Sequence, residues 1–257
     1  MNQLRSELER LRRACARVDR QTATVLVTAP LFVFLHLNVG SRKFFNQVIA
    51  GGFSTELGDL PSWIWRFGVQ GLTGFVVPAL ILTVVFRVGL SRAGLGVGDW
   101  RFALKALLAY LPLVIAGTWI LSSQDAFQRV YPHFRGGIEN GSLLLAYEAT
   151  YLLYWIGWEY LWRGFVLFGT AHTFGVYSIL IQAVPFALLH ASKPVPEQML
   201  SIVGGIALGA VVWRARSFWI AVPIHAVQMA LIDIFCAQRI RTGVRGLSPS
   251  DFLDLFR

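Results

Sequence analysis

Apolar positions in this chain fall into long unbroken runs, not into the half-polar stripes of soluble helices. A helix packed on a water-soluble core shows a polar face at every turn. Here several stretches of about 16 to 30 residues hold almost no charge, the length needed to cross a bilayer. The pattern predicts seven spans, at about 22–39, 62–86, 102–121, 142–171, 176–191, 197–213 and 217–237. Residues 1–21 differ. Leu4, Leu8, Leu11, Cys15 and Val18 recur at three- and four-residue intervals and share one helix face. Arg5, Arg10, Arg12, Arg13, Arg17 and Arg20 surround it. Such a helix either lies on an anionic membrane surface or forms a solvated, charged start that fixes topology.

The fold class expected is therefore all-α: a polytopic transmembrane helix bundle of about seven spans, plus an N-terminal interfacial helix. Four segments follow: a basic amphipathic helix (1–21), N-terminal membrane spans (22–141), a membrane core (142–237) and a polar tail (238–257). Composition agrees. The 257 residues are 55% apolar and only 14% charged, where soluble domains carry about a quarter. The net charge of +9 is carried by loops and by the N-terminus, with no basic stripe interleaved with aromatics, so nucleic acid is not an expected partner. Six arginines at the start, and a basic loop between Arg87 and Lys105, place the N-terminus on the cytoplasmic side. The expected setting is a bacterial plasma membrane, with no cleavable signal. Cys15 and Cys236 stand far apart and form no CxxC pair. No paired Pro/Gly-interrupted helices occupy matching halves, which counts against an inverted-repeat transporter.

The core carries groups that are costly in lipid. Intramembrane Asp, Glu, Arg and His are functional candidates by default. Glu159 and Arg163 are four apart and share a helix face, where they can pair. His190 ends one span and His225 sits eight residues into another. Measured from the turn near Gly175 and from Ser217, the three depths come to about 18, 21 and 12 Å, so Glu159, His190 and His225 can share a layer. A carboxylate and an imidazole can share a water as general base. A second imidazole can donate to the oxyanion of a scissile carbonyl. Two His and one Glu also form the ligand set of a catalytic zinc site, so a divalent metal held by Glu159, His190 and His225 stays open beside a metal-free reading. His36, His133 and His172 are expected to be structural or solvated.

Three motifs carry a resemblance. Trp158-Glu159-Tyr160-Leu161-Trp162-Arg163-Gly164, Phe186-x-x-x-His190 and His225-Ala226-Val227-Gln228-Met229 resemble, in order and spacing, the motifs of the CAAX protease and bacteriocin-processing (CPBP, or Abi) intramembrane endopeptidases. The Gly-rich stretch 204–209 fits as well. The resemblance covers about 142–237 and implies a hydrolase acting on a peptide or protein substrate in the membrane, with Glu159, His190, His225 and Arg163 as site residues. Two positions depart from the family pattern. Trp158 stands where the family has a first Glu, and Met229 stands where it has an Asn. Glu197 and Asp233 are acids that could compensate, whereas Glu148 lies about 16 Å along the helix axis from Glu159. The departures motivate an alternative, an inactive pseudoprotease that binds a peptide or membrane partner in an immunity or assembly role.

Overall fold

A computed structural model describes residues 2–15, 18–51 and 59–256. Among them there is no β-strand, and six helical runs are long and apolar enough to cross a membrane. In chain order, α1 is Asn2–Cys15 and α2 is Arg20–Asn38. The run α3 covers Leu60–Val85 and α4 covers Trp100–Ser122. The long helix α5 runs over residues 141–174, α6 is Ser178–Leu188 and α7 is Val195–Ala215. The last two are α8, Ala221–Thr242, and the short α9, Pro249–Asp254. The side chains of Arg13, Cys15 and Arg17, together with Gly52 and Glu56 of the first loop, lie outside the described residues. Large apolar side chains such as Val27, Leu31 and Phe34 point outward from the spans. On a soluble protein such a surface would aggregate; here it faces lipid, and the chain is an integral membrane protein.

Three boundaries differ from the periodicity. The amphipathic start does not continue to residue 21. Asp19 is extended and accepts a hydrogen bond from the Thr22 amide, so it caps a new helix at Arg20. The fifth expected span is a span only in part. Gly175 takes φ +55° and ψ −136°, which reverses the chain after α5. The returning α6 has 11 residues, about 16 Å, and packs back on the end of α5 and on α7. One helix fewer than seven thus crosses by itself. At the C-terminal end, α8 continues past the expected boundary at 237 to Thr242, where Gly243 stops it in the left-handed region.

The core is built on α5. Tyr147, Tyr151, Trp155 and Trp158 line one side of it and meet Trp63 and Phe67 of α3. Phe67 stacks on Tyr151 with ring centroids 4.6 Å apart. Below this aromatic layer the two backbones touch. A Cβ at Gly157 would lie 2.2 Å from the Gln70 carbonyl oxygen, and one at Gly74 would lie 2.4 Å from the Gly157 carbonyl oxygen. Only small residues allow this approach. Past the crossing, α5 widens into π-helix over Tyr160–Val166, the turn that carries Arg163. Such widened turns recur at functional sites. Its neighbour α8 packs against α4, and the two close the other side of the bundle.

Candidate active site

Glu159 and Arg163 lie on the buried side of α5, and neither is exposed at all. Arg163 donates to Glu159 Oε1 over 3.2 Å. The same oxygen lies 2.6 Å from Nδ1 of His225 on α8. A carboxylate is acceptor-only beside an arginine, so Nδ1 carries the proton and the lone pair of His225 lies on Nε2. Trp155 stacks on the His225 ring at 4.2 Å and fixes its plane. The sequence distance between Glu159 and His225 is closed by the packing of α8 against α5.

His190 reaches the site from the turn after α6. Its Nδ1 is 2.8 Å from the Phe186 carbonyl oxygen. A carbonyl can only accept, so Nδ1 donates and Nε2 is left as an acceptor. The Phe186 ring lies between Arg163, 4.0 Å from its centroid, and the His190 ring, 4.7 Å away. The Phe-x-x-x-His spacing therefore does two things: its carbonyl sets the His tautomer, and its ring covers the buried guanidinium. The structure brings Glu159, Arg163 and His225 into direct contact and sets His190 beside them. Among the described residues no three His, Cys, Asp or Glu converge to hold an ion. Glu159 Oε1 is turned to Nδ1 of His225 and to Arg163, and His190 Nδ1 is turned to the Phe186 carbonyl.

His190 and His225 line the wall between two cavities. One has a volume of about 330 Å³ and holds Arg66, His133, Lys193 and Trp158. The other has about 660 Å³ and is mainly apolar, between α4 and the pair α7 and α8. Glu159 lines neither, because it stands behind His225. Trp158, in place of the first family Glu, faces the smaller cavity, and Met229 faces both. Of the acids that might compensate, Glu197 sits on the shared wall but accepts from the Tyr131 hydroxyl at 2.7 and 2.8 Å. Asp233 is fully buried and accepts from the His133 amide at 3.3 Å. Glu148 adjoins Asp233, not Glu159.

Several polar residues at the site were not among those singled out from the sequence. Lys193 donates 2.9 Å hydrogen bonds to the Tyr131 hydroxyl and to His133 Nε2. Burial pushes the Lys193 ammonium below its ordinary range, against the opposing pull of Glu197 and Asp233. Burial, and then the Glu197 carboxylate, push the Tyr131 hydroxyl well above its own range. Burial lowers the His133 imidazole, with Asp233 working against it. His133, expected to be structural or solvated, thus belongs to a half-buried polar network. The spacing of Lys193, three residues after His190 on one turn, is the signal that could have found it.

The class these features define is an integral membrane protein with a carboxylate-backed imidazole and a second imidazole inside its helix bundle. Residues 140–231 match the family model described as Rce1-like, type II CAAX prenyl endopeptidase Rce1-like. That stretch is the one on which the three motifs resemble the CPBP endopeptidases, and the two agree. No curated protein and no solved structure matches the chain.

Proposed function

We propose that the protein is an intramembrane endopeptidase that hydrolyses a peptide bond of a membrane-associated substrate. The observation that carries the reading is the Glu159–His225 contact, placed beside His190 on the wall between a cavity that carries charged side chains and a larger apolar one. The apolar cavity suits the lipid-like or apolar part of a substrate, and the smaller one carries the charged and polar side chains that suit water. The residues take roles different from those the spacing first suggests. Glu159 is fully buried and off both walls, so it does not touch the attacking water. It holds the His225 ring through Nδ1–H and stabilises the positive charge that ring acquires, with Arg163 fixing the carboxylate. Nε2 of His225 accepts the proton of the attacking water as its oxygen adds to the scissile carbonyl carbon. The imidazolium then returns that proton to the leaving amine nitrogen as the C–N bond breaks. His190, with Nε2 free, accepts a hydrogen bond from the same water and aims it. No step is routed through a metal.

The test is cleavage of a lipid-anchored peptide by the purified protein in lipid nanodiscs. His190→Ala and His225→Ala are expected to lose about a hundredfold or more in rate while still accumulating as folded protein. Full activity in folded His190→Ala would sink the reading. The second reading, a pseudoprotease that binds without cutting, draws on Trp158 facing the cavity and on Glu159 lying behind the wall. It expects peptide binding and no product from the parent chain.

A further inference from the structure

The hydrolytic roles leave much of the smaller cavity unused. Its wall carries Arg42, Arg66 and Lys193 against a single carboxylate, Glu197. Arg42 is paired with Asp59, and Lys193 stands 4.0 Å from Glu197. Arg66 lies close to Tyr154, and no carboxylate among the described residues pairs with it. The same wall holds donors with nothing to donate to. The indole nitrogens of Trp63, Trp155 and Trp158 are buried without a partner, and so are both ring nitrogens of His36, which is 2% exposed. An indole N–H can only donate, and a buried donor left unpaired costs about 1–3 kcal/mol. A wall with surplus cations and unpaired indole donors suits a ligand that is charged and only accepts. Among the groups a peptide carries, the carboxylate is acceptor-only and charged.

We propose that this cavity is a carboxylate subsite, in which Arg66, with His36 and Trp158 beside it, holds a carboxylate of the bound peptide. That carboxylate is either the chain's C-terminus or an Asp or Glu side chain close to the scissile bond. The proposal rests on the peptidase reading only in taking the ligand to be a peptide; it does not require that the peptide be cut. It also gives Trp158 a use. A glutamate at that position would set a negative charge on this wall, whereas the indole adds a donor to it. Arg66 is a specificity-determining residue here and takes no part in proton transfer.

The experiment uses the full chain in phosphatidylcholine nanodiscs and three probes. These are N-dodecanoyl-tetraalanine as the free acid, its C-terminal carboxamide, and the carboxamide with one alanine replaced by aspartate. Binding is read by calorimetry, and cleavage is read separately. The acid is expected to bind about ten- to a hundredfold more tightly than the carboxamide. That gap closes in Arg66→Gln and returns in part in Arg66→Lys. If the aspartate probe recovers the tight binding, the carboxylate comes from a side chain; if not, it is the C-terminus. Equal binding of acid and carboxamide by the parent protein overturns the proposal even if both are cut, and this comparison needs no variant to fold. A gap that survives Arg66→Gln overturns it too. So does weakened binding of all three probes in phosphatidylglycerol discs with no gap between acid and carboxamide, which would assign the cavity to a lipid phosphate. A clear gap with no product leaves the subsite standing and removes the peptidase reading.

Discussion

Replacing Glu159 with alanine leaves the Arg163 guanidinium charged in an interior where neither residue is exposed. Removing one member of a buried ion pair costs about 3–5 kcal/mol, because the remaining charge has lost both water and partner. The Phe186 ring beneath Arg163 does not offset this, since it is already in place in the parent protein. Replacing both residues, Glu159→Gln with Arg163→Met, removes both charges at similar volume, and such neutral replacements are often harmless to stability or favourable. Stability and activity therefore separate. The single alanine variant is expected to lose about 3–5 kcal/mol in detergent-driven equilibrium unfolding. The double variant is expected to regain most of that loss. Both are expected to fall about 10²–10⁴-fold in peptide cleavage, because a neutral side chain does not stabilise the imidazolium of His225. The reasoning fails if the double variant cleaves at the parent rate, for then the carboxylate holds the fold and nothing else. It fails equally if the alanine variant is as stable as the parent.

Three further outcomes are expected. Gly157→Ala drives a methyl group into the Gln70 carbonyl and forces α3 away from α5; the expected loss is about 1–3 kcal/mol in the same unfolding assay, and unchanged stability would refute the tight crossing. His133 binds its proton less readily in the fold than its ordinary value of 6.5, chiefly because it is buried. The unfolded chain then holds more protons just below pH 6.5, so stability rises with pH up to about that point and falls on acidification through the same window. His133→Gln is expected to flatten that limb of the stability–pH curve, and an unchanged limb would assign it to another group. Arg239 is fully buried and donates to the Val244 and Gly246 carbonyls and to Ser122 Oγ; Arg239→Met is expected to raise hydrogen exchange in residues 244–246 while leaving cleavage intact.

Most of the spans are legible in the sequence because the bilayer demands about 20 apolar residues in a row and tolerates few exceptions. The Glu159–Arg163 pair is legible because it lies within one helix, where spacing alone decides which residues meet. The turn at Gly175 is legible from the break in the apolar run. The helical length of the fifth span is not, since an apolar segment that turns early reads like one that crosses. The retreat of Glu159 behind His225 depends on how α8 is rotated against α5, and a uniformly apolar helix carries no periodicity to reveal that. The cluster of Tyr131, His133 and Lys193 comes from two loops meeting over the bundle, a contact that no local pattern encodes. Arg66 is legible as an arginine inside a predicted span, but its surroundings are supplied by other helices, which no local pattern encodes.

The contact of Gly157 with Gln70 and Gly74 also bears on mechanics. Backbone lies on backbone there, with no side chain between to bend or change rotamer, so α3 and α5 can pivot on each other but cannot slide or part without breaking the crossing. The two helices that hold Arg66, Trp158 and Glu159 then travel together. Most of α4 faces outward, away from the packed interior, and it lines the apolar cavity opposite that body. Displacement of α4 opens the cavity toward lipid at less cost than any motion at the glycine crossing. Spin labels placed across α3 and α5 should hold one narrow distance with and without peptide, while a pair spanning α4 and α7 should broaden when peptide is added.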